Sequence, residues 1–170
     1  YKNEPYTKKN WGHHLHSLCS YQGKLKPALA HWLVEYFVPH SGCLLDPLGG
    51  VGTIPFEGAL QGCDVISNDK SPFASLIARA KLRPPKQSDF QRTADRIEDE
   101  IKEIILTDHD YQSATFGLNA SVSDYYHRDT LDQVLKLRRI FLGKSLTRRS
   151  DSENFFWACL LHVLHGNRPY

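Results

Sequence analysis

Two carboxylates and three glycines stand out in the stretch LLDPLGGVGTIPFEGALQGCDVISND, which runs from Leu44 to Asp69. Asp46 and Pro47 open a turn that holds Gly49, Gly50 and Gly52, and Asp69 lies twenty residues beyond Gly49. The apolar runs CLL before Asp46 and CDVIS before Asp69 read as strands. Between them TIPFEGALQG reads as a helix, with Pro55 in its first turn and Gly62 just past its end. A strand, a glycine turn and a helix let backbone approach a ligand, because glycine lacks the Cβ that would block it. Three ligand classes use such a unit.

A phosphate-binding loop needs Gly followed by Lys and Ser or Thr at the helix start, but Gly52 is followed by Thr53 and Ile54. The dinucleotide fingerprint fits at Gly50 and Gly52, then meets Pro55 where a third glycine would pack helix on strand. Charge at the entrance separates what remains. A pyrophosphate would be repelled by Asp46, whereas S-adenosylmethionine carries an ammonium and a sulfonium that a carboxylate attracts. Helix-start N–H groups near Thr53 can receive its carboxylate. Asp69 can accept hydrogen bonds from both ribose hydroxyls, a role that dinucleotide sites share. Asp46 alone discriminates, so an NAD-dependent oxidoreductase remains the alternative from another enzyme class. An acid at a strand end can also simply cap the next helix; the glycines and Asp69 in register with it favour the cofactor reading.

The elements that must position these residues follow from periodicity and caps. Residues 1–24 are polar and aromatic with no sustained period, and read as an arm or cofactor lid. KPALAHWLVEYFV, with Leu29, Leu33, Phe37, Ala30 and Val34 at three- and four-residue spacing, is an amphipathic helix opened by Pro27. CLLD reads as a short buried strand ending at Asp46, and CDVISND as a strand ending at Asp69. SPFASLIARAKL is a helix with Ser71 as N-cap and Pro72 at its first position, stopped by RPPK at Arg83–Lys86. This β-α-β order over residues 25–86 implies a parallel sheet with a right-handed crossover. Residues 87–170 read as three helices. The first carries Ile97, Ile101, Ile104 and Ile105 on one face, the second is capped by Asp129 and ended by Gly143, and the third is closed by Gly166. The expected fold is α/β, an incomplete parallel sheet with a large helical insertion.

Composition bounds the rest. A chain of 170 residues, 41% hydrophobic and 24% charged, suits one globular domain, and a net charge of +2 neither demands nor excludes nucleic acid. No apolar run has the length of a membrane span. Four scattered cysteines without a CxxC pair suggest free thiols and a reducing, cytoplasmic setting, with Cys43 and Cys63 expected to be buried.

LLDPLGGVGT resembles the DPFxGxGT cofactor loop of the amino-group DNA methyltransferases, which make N4-methylcytosine or N6-methyladenine. SNDKSPFASLIARAKL is similar to their next strand and helix, and HSLCSYQGKLKPALAHWLVEYF to the helix before the loop. DYYHRDTLDQVLKLRRIF is similar to a helical insert found in some members. The one departure within the loop is Leu48, where the family usually carries Phe. The resemblance implies a Rossmann-like methyltransferase core binding S-adenosylmethionine, with DNA as partner. It places Asp46 at the methionine ammonium, Gly49 to Gly52 beneath the methionine, Asp69 at the ribose, and Asn68 and Lys70 beside the adenosine. It also has Tyr21 and Lys24 closing over the cofactor. Guanine-N2 RNA methyltransferases share a similar loop, so RNA is an alternative partner, and a non-catalytic cofactor-binding remnant is another reading.

These enzymes methylate an amine through Asn, Asp or Ser followed by Pro-Pro and an aromatic, the polar group accepting from the amine while the aromatic stacks on a flipped base. That tetrad is absent. NRPY supplies Asn167, Pro169 and Tyr170 as candidates, but Arg168 interrupts it and a helix precedes it. The tetrad is therefore expected beyond Tyr170. No cysteine is placed for C5-cytosine chemistry, so direct in-line transfer is expected. His13, His14, His16 and Cys19 match no compact zinc module, and no metal is expected. His162 and His165 read as core or capping residues. Lys136, Arg138, Arg139, Lys144, Arg148 and Arg149 form a basic stretch, a solvated face in the plainer reading and a phosphate contact in the other.

Overall fold

The computed structural model describes residues 3, 4, 6–8, 11–115, 117 and 119–166. Seven helices and two strands follow in the order α1 (Pro27–Phe37), β1 (Cys43–Asp46), α2 (Thr53–Leu60), β2 (Asp64–Ser67), α3 (Pro72–Leu82), α4 (Gln87–Glu103), α5 (Asp108–Thr115), α6 (Arg128–Leu142) and α7 (Asp151–Gly166). Before α1 the arm holds one 3-10 turn, His14–Ser17.

β1 and β2 pair in parallel, with Cys43 opposite Asp64 and Asp46 opposite Ser67. The ladder runs on past the strand ends, where the Asn68 N–H donates to the Asp46 carbonyl at 2.9 Å. β2 stops at Ser67, two residues short of the expected end, because Asn68 and Asp69 turn into the cap of α3. Ser71 Oγ accepts from Ala74 N–H and Pro72 opens the helix, as its sequence requires.

α2 covers one face of the sheet, and α1 and α3 pack on α2. Leu44 and Val65 close the space at Gly58 of α2, so those side chains point toward the helices. The strands are not buried as expected. Leu45 is 64% and Ile66 56% exposed on the opposite face, and Cys43 is exposed as well. Alternating strand residues face opposite sides, and here only one side has a covering layer among the described residues. Cys63 is half-buried rather than buried.

The main core joins distant parts of the chain. Leu18 and Cys19 of the arm, Val51 of the glycine turn, Ile77 and Ala80 of α3 and Ala158 of α7 form one buried cluster. α7 thus packs on the same core as the glycine turn. A second cluster joins Leu131 and Leu135 of α6 to Val122, with Tyr111 and Ala114 of α5 packed against it. α4 ends at Glu103, before Ile104 and Ile105, and Ile105 is 82% exposed. Period alone continues the stripe, but the chain turns out of the helix first. Asp129 sits inside the first turn of α6 without acting as its cap, which falls at His127. In α1 the buried residues are Ala28, Ala30 and Val34, while Phe37, 68% exposed, leaves the expected stripe.

Among the described residues no helix is long and apolar enough to cross a membrane.

Candidate functional site

The sharp turn between β1 and α2 depends on backbone that glycine tolerates. Gly50 has φ +53° and Gly52 φ +75°, both left-handed. A Cβ on Gly52 would stand 2.8 Å from Ala78 Cβ and 3.0 Å from Ala78 Cα on α3. A methyl group there would have to push a helix backbone, in a φ region that alanine disfavours. Gly52→Ala should cost about 2–4 kcal/mol of stability, from overpacking plus backbone strain. Urea denaturation checks it, and an unchanged midpoint would show that α3 can yield.

The two acids hold this turn from opposite ends. Asp69 Oδ2 accepts from the Gly50 N–H and Asp69 Oδ1 from the Ser71 N–H, each at 2.8 Å. The Asp69 carboxylate therefore ties the glycine turn to the start of α3. Asp46 Oδ1 accepts from the Leu48 N–H at 3.2 Å, and its other oxygen has no partner among the described residues. The Gly49 N–H donates to the Asn68 carbonyl at 2.9 Å, and Asn68 Nδ2 donates to the Pro47 carbonyl at 3.3 Å.

A cleft of about 240 Å³ opens over this turn. Of the residues singled out from the sequence, Tyr21, Lys24, Asp46, Gly49, Gly50, Thr53 and Asp69 line it together. Tyr21 stacks on Phe73, with ring centroids 6.1 Å apart. Pro47, Gly52, Asn68 and Lys70 are not on its wall, and Asn68 and Lys70 are exposed. A wider cleft of about 480 Å³ lies on the far side of Asp69, lined in part by Ser67, Ser75, Arg79 and Arg83. Asp69 is shared by both. Asn167, Pro169 and Tyr170 lie outside the described residues.

The arm that brings Tyr21 and Lys24 to the cleft is fastened by pairings that sequence reasoning did not anticipate, and by Glu57, which it did not single out. Glu57 of α2 is 2% exposed, with Oε1 2.6 Å from His16 Nε2 and Oε2 2.9 Å from His31 Nδ1. Burial pushes the Glu57 carboxyl up, but the hydrogen bonds from His16 and His31 outweigh it and hold the group below its ordinary value. A second fastening joins the arm to α7: the Cys19 N–H donates to His162 Nδ1 at 3.1 Å. Cys19 takes φ +58° there, an uncommon conformation for a side-chain-bearing residue. Lys24 Nζ donates to the His16 carbonyl, and burial lowers its pKa.

The basic stretch is largely spent on the fold. Arg138 donates to Ser113, Arg139 to the Ile105 carbonyl, Lys144 to Glu153 and Arg149 to the Phe141 and Lys144 carbonyls. Neither the solvated face nor the phosphate contact expected from the sequence includes these intramolecular bonds. His13 and His14 stack at 4.2 Å, and among the described residues no group of three or more His, Cys, Asp or Glu is arranged to hold a metal.

A sequence model of the RMKL-like methyltransferase domain matches residues 16–120. The chain belongs to that family. The matched segment begins at His16, contains both acids and the glycine turn, and runs on through α4 and α5. Two curated methyltransferases are similar to part of the chain. The Type II methyltransferase M.MjaII of Methanocaldococcus jannaschii is 33% identical over 70 residues, which is 41% of this chain and 13% of that enzyme. The Type II methyltransferase M.MvaI of Kocuria varians is 29% identical over 93 residues, 53% of this chain and 20% of that enzyme. The chain thus spans a fifth or less of the length of these relatives. No solved structure matches. Membership in a methyltransferase family implies S-adenosylmethionine as the methyl donor.

Proposed function

We propose that this methyltransferase-domain chain binds S-adenosylmethionine for methyl transfer to an exocyclic amino group of a DNA base, cytosine N4 or adenine N6. The observation that carries the reading is Asp46: one of its oxygens is unclaimed among the described residues, and it shares a cleft with the glycine turn and Lys24. An amino-acid head group is a zwitterion. Asp46 answers its ammonium and Lys24 its carboxylate, while the bare backbone of Gly49 and Gly50 leaves room beside them. A pyrophosphate would meet Asp46 as a like charge. Asp69 accepts from two backbone donors, one on each oxygen, and each oxygen keeps a lone pair for a sugar hydroxyl. Because Asp69 lines both clefts, its carboxylate would stand at the middle of an elongated ligand.

When bound, the donor supplies an activated methyl group on a cationic sulfur. The chain's part is to orient that group by the two acids and to shield it with Tyr21. The acceptor groups for the target amine are expected outside the described residues, as the sequence implied. DNA as substrate is supported by the resemblance of LLDPLGGVGT to the amino-methyltransferase loop and by the two relatives named as Type II methyltransferases. RNA is the second reading, favoured by a family model that also covers RNA methyltransferases.

Labelled S-adenosylmethionine offered with duplex DNA and, separately, with tRNA tests the substrate, in a protein that carries this chain together with the acceptor tetrad. Label on cytosine N4 or adenine N6 is the expected result. Label on guanine N2 of tRNA would replace it with the second reading. Donor binding without transfer to either would leave a cofactor-binding unit and remove the substrate assignment.

A further inference from the structure

A buried lysine stands directly behind the glycine turn, outside the cleft. Lys81 of α3 is 0% exposed, and its Nζ donates to the Val51 carbonyl at 2.7 Å. That carbonyl belongs to the Val51–Gly52 peptide, whose other end, the Gly52 N–H, donates to the Gly49 carbonyl at 2.8 Å. One peptide plane is therefore held at both ends. It leads into a left-handed glycine, and such peptides can rotate because glycine accepts either sign of φ. Rotation would break both hydrogen bonds and turn the Val51 oxygen away from Lys81, changing the floor on which a ligand rests.

An ammonium is an expensive way to fill this space. Burial pushes the Lys81 pKa down to about 7; Lys24 of the arm adds repulsion and Cys19 acts the other way. Methionine would occupy a similar volume without desolvating a charge. Packing alone does not account for the nitrogen; the fixed carbonyl does.

We propose that Lys81 is a positioning residue: held to the Val51 carbonyl, it locks the Val51–Gly52 peptide so that the glycine turn is already in its receiving shape when a methyl donor arrives. The inference rests on reading the cleft as a donor site, but the lock can be measured without any ligand.

The comparison is between the full chain and its Lys81→Met and Lys81→Gln variants, the first removing the donor nitrogen and the second restoring an uncharged one. Gly52 amide hydrogen exchange by NMR reads the lock, calorimetry with S-adenosylmethionine reads its consequence, and Tm reads stability. Lys81→Met should melt at or above the wild-type Tm. It should nonetheless exchange the Gly52 amide about tenfold faster and bind the donor about tenfold more weakly, the size of one lost hydrogen bond. Lys81→Gln should recover part of both. A Gly52 amide as protected in Lys81→Met as in wild type would overturn the lock. Faster exchange with unchanged affinity would overturn its bearing on the donor. Should Lys81→Met fail to fold, Lys81→Gln carries the same comparison with an intermediate loss expected and none overturning it. If wild type binds no donor, the reading of the cleft fails, while the exchange data still decide the lock.

Discussion

Asp46→Asn should bind S-adenosylmethionine tens to a hundredfold more weakly than wild type while folding normally. The variant is chosen because the Asn side-chain oxygen can still accept from the Leu48 N–H, which Asp46 Oδ1 does at 3.2 Å. The turn keeps its local hydrogen bond and only the charge is removed. A hydrogen bond between charged groups is worth about 1.5–3 kcal/mol, and each 1.4 kcal/mol is about tenfold in affinity. Two opposite charges at about 4 Å near a protein surface give a similar or larger figure. Calorimetry at constant ionic strength reads the loss directly. Affinity for adenosine, which lacks the ammonium, should be unaffected, so the same variant separates loss of charge from collapse of the cleft. Equal loss for both ligands would mean that Asp46 shapes the turn and nothing more.

The second large effect is expected at Glu57. Its two carboxylate oxygens face His16 at 2.6 Å and His31 at 2.9 Å in a site that is 2% exposed. In Glu57→Gln one of those ring N–H groups meets an amide NH2 instead of an oxygen. Leaving a buried donor unpaired and removing the charge that both histidines face should cost about 3 kcal/mol of stability. The arm would loosen with it, because His16 is the point where it grips α2, and Tyr21 and Lys24 would leave the cleft. The pH dependence has a definite sign. The folded pKa of Glu57 is depressed, so its contribution is fully present above the ordinary carboxylate pKa and is lost as pH falls through the folded value. The stability gap between wild type and Glu57→Gln should therefore be wide at pH 7 and close in acid. Urea unfolding at both pH values measures it. A gap that is absent at pH 7 would show that the buried carboxylate contributes nothing to holding the arm.

The parts of the site that could be read from the sequence are those whose chemistry is local. Asp46, the glycines and Asp69 announce themselves by type and order, and the caps at Ser71 and Pro72 fix where α3 begins. Lys24 and Tyr21 were reached through resemblance, and the structure places them in the same cleft. What stayed hidden depends on contacts between distant residues. Glu57 and His16 are 41 positions apart, and no spacing rule joins them. Lys81 left a faint trace, standing four residues after the buried Ile77 on what should be an apolar stripe. A charge at such a position asks for a buried acceptor, but not for a named one. The overextended isoleucine stripe of α4 shows the converse limit, since periodicity gives the face of a helix and says little about its end. The exposed Leu45 and Ile66 have the same origin: apolar residues in a strand do not reveal whether a second layer exists to cover them.

The central claim is that the cleft over the glycine turn takes a cationic sulfur donor and not a dinucleotide. Titrating the chain in a calorimeter with S-adenosylmethionine and, in parallel, with NAD tests it most directly. Saturable one-to-one binding of S-adenosylmethionine, with no heat from NAD at the same concentrations, is the predicted result. Saturable binding of NAD with none of S-adenosylmethionine would contradict it.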